Sequence, residues 1–147
     1  FRIWNLDEEK SAKEFNKKVF DKINEVFETN INIDEVYKEK PKNIRIARKI
    51  FFNFDEYFSW PSLENEIVSK TGFCYGLDSH FGILVNGDVI PCCLDQNACV
   101  KLGNTNSTQI EDILNSKRVK DIQKGFKNNI LVEELCQKCE YRTRFDK

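Results

Sequence analysis

Apolar residues recur at helical spacing through the first part of the chain. Between residues 5 and 28 they return every three or four positions, while Lys and Glu fill the opposite face; they are Ala12, Phe15, Val19, Phe20, Ile23, Val26 and Phe27. This period predicts an amphipathic helix, with Asn5 as its N-cap and Glu8 as the capping-box partner. The apolar residues 1–4 before it predict a short buried strand, and the polar residues 30–40 after it predict a loop.

Residues 43–54 give a mixed signal. Ile44 and Ile46 alternate with charged or polar residues as in a strand, whereas the apolar run that follows fits either a strand or a helix. Residues 1–60 therefore indicate a strand–helix–strand unit of the kind that builds parallel sheets and barrels. We expect the aromatic residues of this part to be core, or a surface left bare if the chain is cut from a longer one; they are Phe1, Trp4, Phe51, Phe52, Phe54 and Phe58.

A β-hairpin is predicted in the second part, residues 61–147. Asn86-Gly87 separates two apolar runs, and this dipeptide favours a type I′ turn in which Gly87 supplies the positive φ. Residues 102–104, Leu-Gly-Asn, predict a turn. Thr108 with Glu111 predicts a capping box, and Ser116 predicts the cap of a further helix that carries Val119, Ile122 and Phe126.

Six cysteines bring in the candidate chemistry. Cys74 is followed by twelve residues, Gly87, four residues and Cys92, while Cys136 and Cys139 form a distant C-x-x-C pair. A hairpin that returns Cys92 toward Cys74, together with a close pair from elsewhere, supplies the four thiolates of a metal site. Cys93 and Cys99 are not needed for four ligands and are reserve candidates. By spacing alone, tetrahedral zinc and an iron–sulfur cluster fit about equally well.

Charge and hydropathy exclude several classes of partner. Lys and Arg number 23 against 24 Asp and Glu, so nothing indicates binding to nucleic acid or to an anionic membrane. No apolar run approaches the roughly 20 residues of a membrane span, and no leader is visible, so we expect a cytoplasmic protein. Since the chain starts at Phe1 and has no Met, we interpret it as a piece of a longer protein.

The ordered motifs resemble a SPASM domain, the C-terminal auxiliary iron–sulfur domain of many radical SAM enzymes. The resemblance covers about residues 60–147 and rests on four segments: Gly72-Phe-Cys-Tyr-Gly-Leu77, the run from Gly82 through Pro91-Cys92-Cys93 to Asp95, Leu102-Gly-Asn104, and Glu134 to Phe145. It implies an α+β fold in which a small β-hairpin and short helices surround the four-cysteine site. It also implies that residues 1–60 are the last strand–helix units of a partial (β/α) barrel.

The resemblance further implies a [4Fe–4S] cluster held by Cys74, Cys92, Cys136 and Cys139. The denser cysteine run of members with two auxiliary clusters is absent, and Cys93 stands where the sulfatase-maturing branch has an Asp base. The C-x-x-x-C-x-x-C motif that binds the S-adenosylmethionine-cleaving cluster is also absent, so we do not expect this chain to be catalytic alone. S-adenosylmethionine and a peptide or small-molecule substrate would belong mainly to an upstream barrel.

Other interpretations remain open at this stage. A non-enzymatic four-cysteine zinc module, with binding done by exposed aromatics, is the main alternative, and three disulfides are a weaker one. Cys93 is expected to point into the core, His80 to be structural, and Asp95 to form a turn. Residues 142–144 are expected to be a solvated basic tail. Finally, an unpaired strand edge and a bare apolar face predict self-association through residues 1–60.

Overall fold

The computed structural model describes residues 1–6, 10–55 and 57–145. The chain divides into two compact units, Phe1–Tyr57 and Phe58–Lys147, each with its own core. An α+β fold is confirmed, since helices and two small sheets are both present. Within the described ranges, no helix combines the length and the apolar composition that a bilayer crossing requires.

The long amphipathic helix is confirmed as α1, Lys10–Phe27. Glu28 ends it in the left-handed region at φ 53°. Phe20 and Ile23 are buried as predicted, but Phe15 and Val26 are 64% and 58% exposed. At about 100° per residue these two side chains lie roughly 80–100° from the centre of the buried face, which explains the error. Glu8, the proposed capping-box partner, lies outside the described residues.

A second helix, α2 (Ile33–Glu39), replaces the loop predicted for residues 30–40. Asn32 caps it by accepting a hydrogen bond from the Asp34 N–H at 2.9 Å, and Val36 is its buried residue. Tyr37 ties the helix to α1, because its hydroxyl accepts a hydrogen bond from the buried Asn16 amide at 3.0 Å. The polar composition of this segment predicted a loop because only one side chain of the helix is fully buried.

The first sheet contains β1 (Arg2–Ile3), β2 (Asn43–Ala47) and β3 (Ile50–Phe54) in the order β1-β3-β2. Strand β1 is parallel to β3, as the strand–helix–strand interpretation requires, but β2 and β3 form an antiparallel hairpin that was not predicted. Phe52 is fully buried and contacts Phe20 at a ring-centroid distance of 4.8 Å. Phe1 and Phe51 are exposed rather than core.

The predicted hairpin of the second unit is confirmed, but its turn type is wrong. Strand β4 (Gly82–Ile83) is antiparallel to β5 (Asp88–Ile90). The Gly87 N–H donates to the Leu84 carbonyl at 2.8 Å, and Gly87 has φ +86° while Asn86 is not in the positive-φ region. A type I′ turn needs positive φ at both central residues, so Gly87 instead follows the turn, as in a three-residue loop with a bulge.

Residues 103–104 form strand β6 (Gly103–Asn104) on the other edge of β5, not the predicted turn. The Asn104 amide donates to the largely buried Asp88 carboxylate at 2.7 Å, and Lys101 Nζ lies 2.5 Å from the same oxygen. The hydrogen bond from Lys101 and then that from Asn104 hold the pKa of Asp88 below its ordinary value. These bonds fasten β6 and the hairpin turn together.

Three α-helices and a 3₁₀ helix complete the second unit: α3 (Ile110–Leu114), α4 (Lys117–Lys127), α5 (Glu134–Gln137) and Tyr141–Phe145. The Thr108–Glu111 capping box is wrong, because α3 has Gln109 at its N-cap and no side-chain cap bond. Ser116 does cap α4, accepting from the Val119 N–H at 3.4 Å. The apolar core packs around α4; its buried members are Leu77, Val100, Val119, Ile122, Phe126, Leu131 and Leu135.

Candidate metal centre

Four cysteines from three separate segments line one cavity in the second unit. The cavity measures about 70 Å³ and contains Cys74, Cys92, Cys136 and Cys139 in its wall. Carbon-rich side chains supply much of the remaining wall; they are Pro61, Pro91, Leu94, Leu135, Tyr141 and Phe145. All six cysteines of the chain are free thiols, so the disulfide interpretation is wrong.

Gly76 allows the segments of Cys74 and Cys92 to approach each other. A Cβ placed on Gly76 would lie 3.7 Å from both Cys74 Sγ and Cys92 Cβ, and 3.1 Å from the Pro91 carbonyl oxygen. The Gly76 N–H also donates to Cys74 Sγ at 3.4 Å. The hairpin thus returns Cys92 to the neighbourhood of Cys74, and Gly76 leaves the space in which they meet.

The C-x-x-C pair is presented by α5 and the turn after it. Leu135 anchors this short helix in the core, and Cys136 packs against the same core. Cys139 follows the helix, where its N–H donates to the Cys136 carbonyl at 3.4 Å. The backbone N–H groups of Tyr141 and Arg142 donate hydrogen bonds to the Cys139 sulfur.

Burial raises the pKa of each of the four thiols, because a thiolate loses its hydration in this cavity. For Cys92 the pKa rises to about 11, with the charges of Cys74 and Cys139 adding to the desolvation. Desolvation again acts first on the pKa of Cys136, followed by Cys74, Cys92 and Cys139. The four sulfurs therefore oppose one another's ionisation. A positively charged metal or cluster core would remove that penalty.

Arg142 is the residue that sequence analysis missed. It was expected in a solvated tail, but it is 2% exposed and lines the cavity with the cysteines. Its positive charge acts against the rise in pKa of Cys74 and Cys139. The signal available in the sequence was the position of Arg142, three residues after Cys139 and within the segment Glu134 to Phe145 that resembles a SPASM domain. Periodicity did not mark this short 3₁₀ segment as buried.

The reserve candidates occupy different places. Cys93 is exposed and lies at the cavity wall, so the prediction that it points into the core is wrong. Cys99 is also exposed and is not among the residues of the cavity wall. His80 lines the cavity and pairs through Nδ1 with the Ser79 hydroxyl at 2.9 Å.

Asp95 has a structural position just after Cys92. It is 1% exposed, and its carboxylate accepts hydrogen bonds from the N–H groups of Cys99 and Val100 at 2.7 and 2.8 Å. The Asp95 N–H donates in turn to the Cys92 carbonyl at 3.2 Å. These bonds form the turn that the sequence predicted at Asp95.

The number and the grouping of the four thiols bear on which kind of metal centre they could hold. Among the residues that the structure describes, no three His, Cys, Asp or Glu side chains are grouped so that they could hold one metal ion. The volume of about 70 Å³ is several times that of one water-sized site. The four thiols on the wall of this cavity are the donor type that iron–sulfur clusters take.

The four cysteines thus lie on the wall of one cavity in a small α+β unit. Residues 74–140 match the family model of SPASM, an iron–sulfur cluster-binding domain, and the matched range includes all four cavity cysteines. The resemblance to a SPASM domain noted from the sequence is therefore confirmed for residues 74–140. No curated protein and no solved structure shows a significant match to the chain.

Proposed function

We propose that the chain carries an auxiliary [4Fe–4S] cluster of a radical SAM oxidoreductase or maturase, held by Cys74, Cys92, Cys136 and Cys139. The observation that carries this proposal is the single cavity that the four thiols share. Iron–sulfur clusters of this type take four thiolate ligands, which matches the number and chemistry of the donors. The SPASM match supports iron–sulfur binding in the same residues.

Hydrogen bonds to the sulfurs also support a cluster. The N–H groups of Gly76, Leu94 and Arg142 are directed at the sulfurs of Cys74, Cys92 and Cys139, respectively. Such donors stabilise thiolate charge and influence the reduction potential of an iron–sulfur centre. When bound, the cluster would supply one-electron transfer, while the protein residues exclude water and fix the ligands.

The proposed role is that of an electron relay or a structural clamp. Four protein thiolates complete the coordination of a [4Fe–4S] cluster, which leaves no iron site open for direct binding of a substrate. The chain contains no C-x-x-x-C-x-x-C motif, so cleavage of S-adenosylmethionine would belong to an upstream radical SAM barrel. In this proposal, residues 1–60 are the end of that barrel, and a peptide or small-molecule substrate would contact mainly the barrel.

Anaerobic reconstitution tests the proposal. The purified chain is supplied with ferrous iron and sulfide, and bound iron and acid-labile sulfide are counted alongside the visible absorption spectrum. We expect about four irons and about four sulfides per chain, a brown colour and an EPR signal after reduction. A chain that is purified with about one bound zinc ion and takes up no iron under these conditions would support the four-cysteine zinc module instead.

Single serine variants assign the ligands. Replacing Cys74, Cys92, Cys136 or Cys139 should abolish or strongly reduce cluster loading, because each removes one of four ligands. Cys99→Ser is the matched control and should load normally, since Cys99 lies outside the cavity wall. Loading that survives Cys74→Ser but is lost in Cys99→Ser would show that the ligand assignment is wrong.

A further inference from the structure

A buried cation lies beside the proposed cluster ligands. Arg142 is 2% exposed and shares the cavity wall with Cys74 and Cys139. Removing a guanidinium from water is costly, and a negative group close to it offsets that cost. A cluster with four thiolate ligands is such a group, because its net charge is negative and becomes more negative on reduction.

The backbone provides a defined place for this guanidinium. A Cβ at residue 72 would lie 1.8 Å from Arg142 Nη1 and 2.6 Å from its Cζ, so any side chain at residue 72 would displace the guanidinium from this position. Gly72 also has φ +145°, a conformation that other residues rarely adopt. Its N–H donates to the Asn129 carbonyl at 3.1 Å, which fastens the segment next to the Thr71–Ile130 bridge.

The neighbouring Arg144 provides a contrast within the same 3₁₀ helix. Its guanidinium lies over the rings of Tyr141 and Phe58, at 4.7 and 5.2 Å from their centroids. It is not among the residues that line the cysteine cavity. Two arginines separated by one residue therefore occupy different electrostatic positions relative to the four thiols.

We propose that Arg142 sets the reduction potential of the cluster by stabilising its reduced state through the buried positive charge. This inference rests on the proposed function. When a low-potential one-electron donor such as dithionite reduces the centre, the cluster gains one electron and the donor loses one. The fixed charge of Arg142 stabilises the added negative charge, so its removal moves the potential to more negative values.

Redox titration followed by EPR tests the inference on the reconstituted chain. We compare the wild type with Arg142→Gln, Arg142→Lys and the matched control Arg144→Gln. Arg142→Gln should have a more negative potential than the wild type. Arg142→Lys keeps the charge and should shift less, and Arg144→Gln should remain close to the wild type.

The variants distinguish an effect of the Arg142 charge from an effect of its side-chain shape. An unchanged potential in Arg142→Gln overturns the inference, and so does an equal shift in Arg142→Lys and Arg142→Gln. If Arg142→Gln fails to fold, Gly72→Ala is measured instead, because it retains the charge but displaces the guanidinium; a more negative potential supports the inference and an unchanged one overturns it. Failure of the proposed function is distinct, since the wild type would then bind no cluster before any variant is compared.

Discussion

The turn after Cys92 depends on one buried carboxylate, that of Asp95. Asp95 holds this turn with two short hydrogen bonds, from the N–H groups of Cys99 and Val100 at 2.7 and 2.8 Å. Ala98, inside the turn, has φ 52°, a left-handed conformation that costs free energy in any residue other than glycine. Asp95→Ala removes the acceptor that keeps these residues in place.

The expected loss is large for a single side chain. A hydrogen bond to a charged group contributes about 1.5–3 kcal/mol, so two bonds give roughly 3–6 kcal/mol. Cys99 is exposed, and water can replace the carboxylate at its N–H, whereas Val100 is 1% exposed and its N–H would stay unpaired. We therefore expect Asp95→Ala to destabilise the second unit by about 3–4 kcal/mol. Asp95→Asn keeps one acceptor oxygen and should lose about half of that.

Native-state hydrogen exchange measures this loss in the second unit alone. A destabilisation of about 3–4 kcal/mol should accelerate the exchange of its slowest amides by roughly 10²–10³-fold, because each 1.4 kcal/mol is a factor of ten. Peptides from the first unit provide the internal control and should exchange unchanged. Equal exchange in Asp95→Ala and the wild type would refute the role given to the two hydrogen bonds.

Three further predictions concern packing, pH and association. Ile122→Ala should lower the free energy of unfolding by about 2–5 kcal/mol in a urea titration, because Ile122 is 1% exposed, whereas Ile130→Ala at a 52% exposed site should change it little. The pKa of Asp88 lies below its ordinary value because its lysine and asparagine partners favour the carboxylate. The stability that Asp88 contributes is therefore present above about pH 4 and is lost as the pH falls through the folded-state pKa. The gap in melting temperature between the wild type and Asp88→Asn should therefore be constant above about pH 5 and narrow as the pH falls below about 4, and a gap that widens toward low pH would contradict this sign. Residues 1–60 should self-associate through the exposed side of α1, where Phe15 and Val26 lie. Light scattering should therefore find oligomers of the wild type and monomers of the double variant Phe15→Glu, Val26→Glu, and a monomeric wild type at high concentration would contradict this prediction.

Local signals predicted part of the fold and of the site. The helix α1 and the hairpin were predictable because their evidence, an apolar period and an Asn-Gly pair, lies within a few residues. The grouping of the four cavity cysteines was predictable for a similar reason. The hairpin between Cys74 and Cys92 returns Cys92 toward Cys74, and Cys136 and Cys139 form a close pair. The α2 helix was not, because Val36 is its one fully buried residue and offers no period.

Long-range packing explains what the sequence could not reveal. Arg142 lies in a basic segment that has the composition of a solvated tail, and it is buried because Gly72, seventy positions earlier, leaves space for it. Asp95 is a frequent residue in turns, but its burial depends on the packing of Val100 in the core. Both facts depend on which distant segments meet, and no window of adjacent residues contains that information.

The way in which the cysteines are attached to the protein bears on the proposed role. Cys74 and Cys136 pack against the apolar core of the second unit, while Cys92 and Cys139 extend from turns that backbone hydrogen bonds and Asp95 hold. Two of the four proposed ligands are therefore fixed by side-chain packing and two by polar turns. Attachment by packing and by hydrogen-bonded turns limits the movement of the proposed ligands when the charge of a bound centre changes. Limited movement favours both electron relay and a structural clamp, and it is consistent with a cavity whose arginine is also fixed in place.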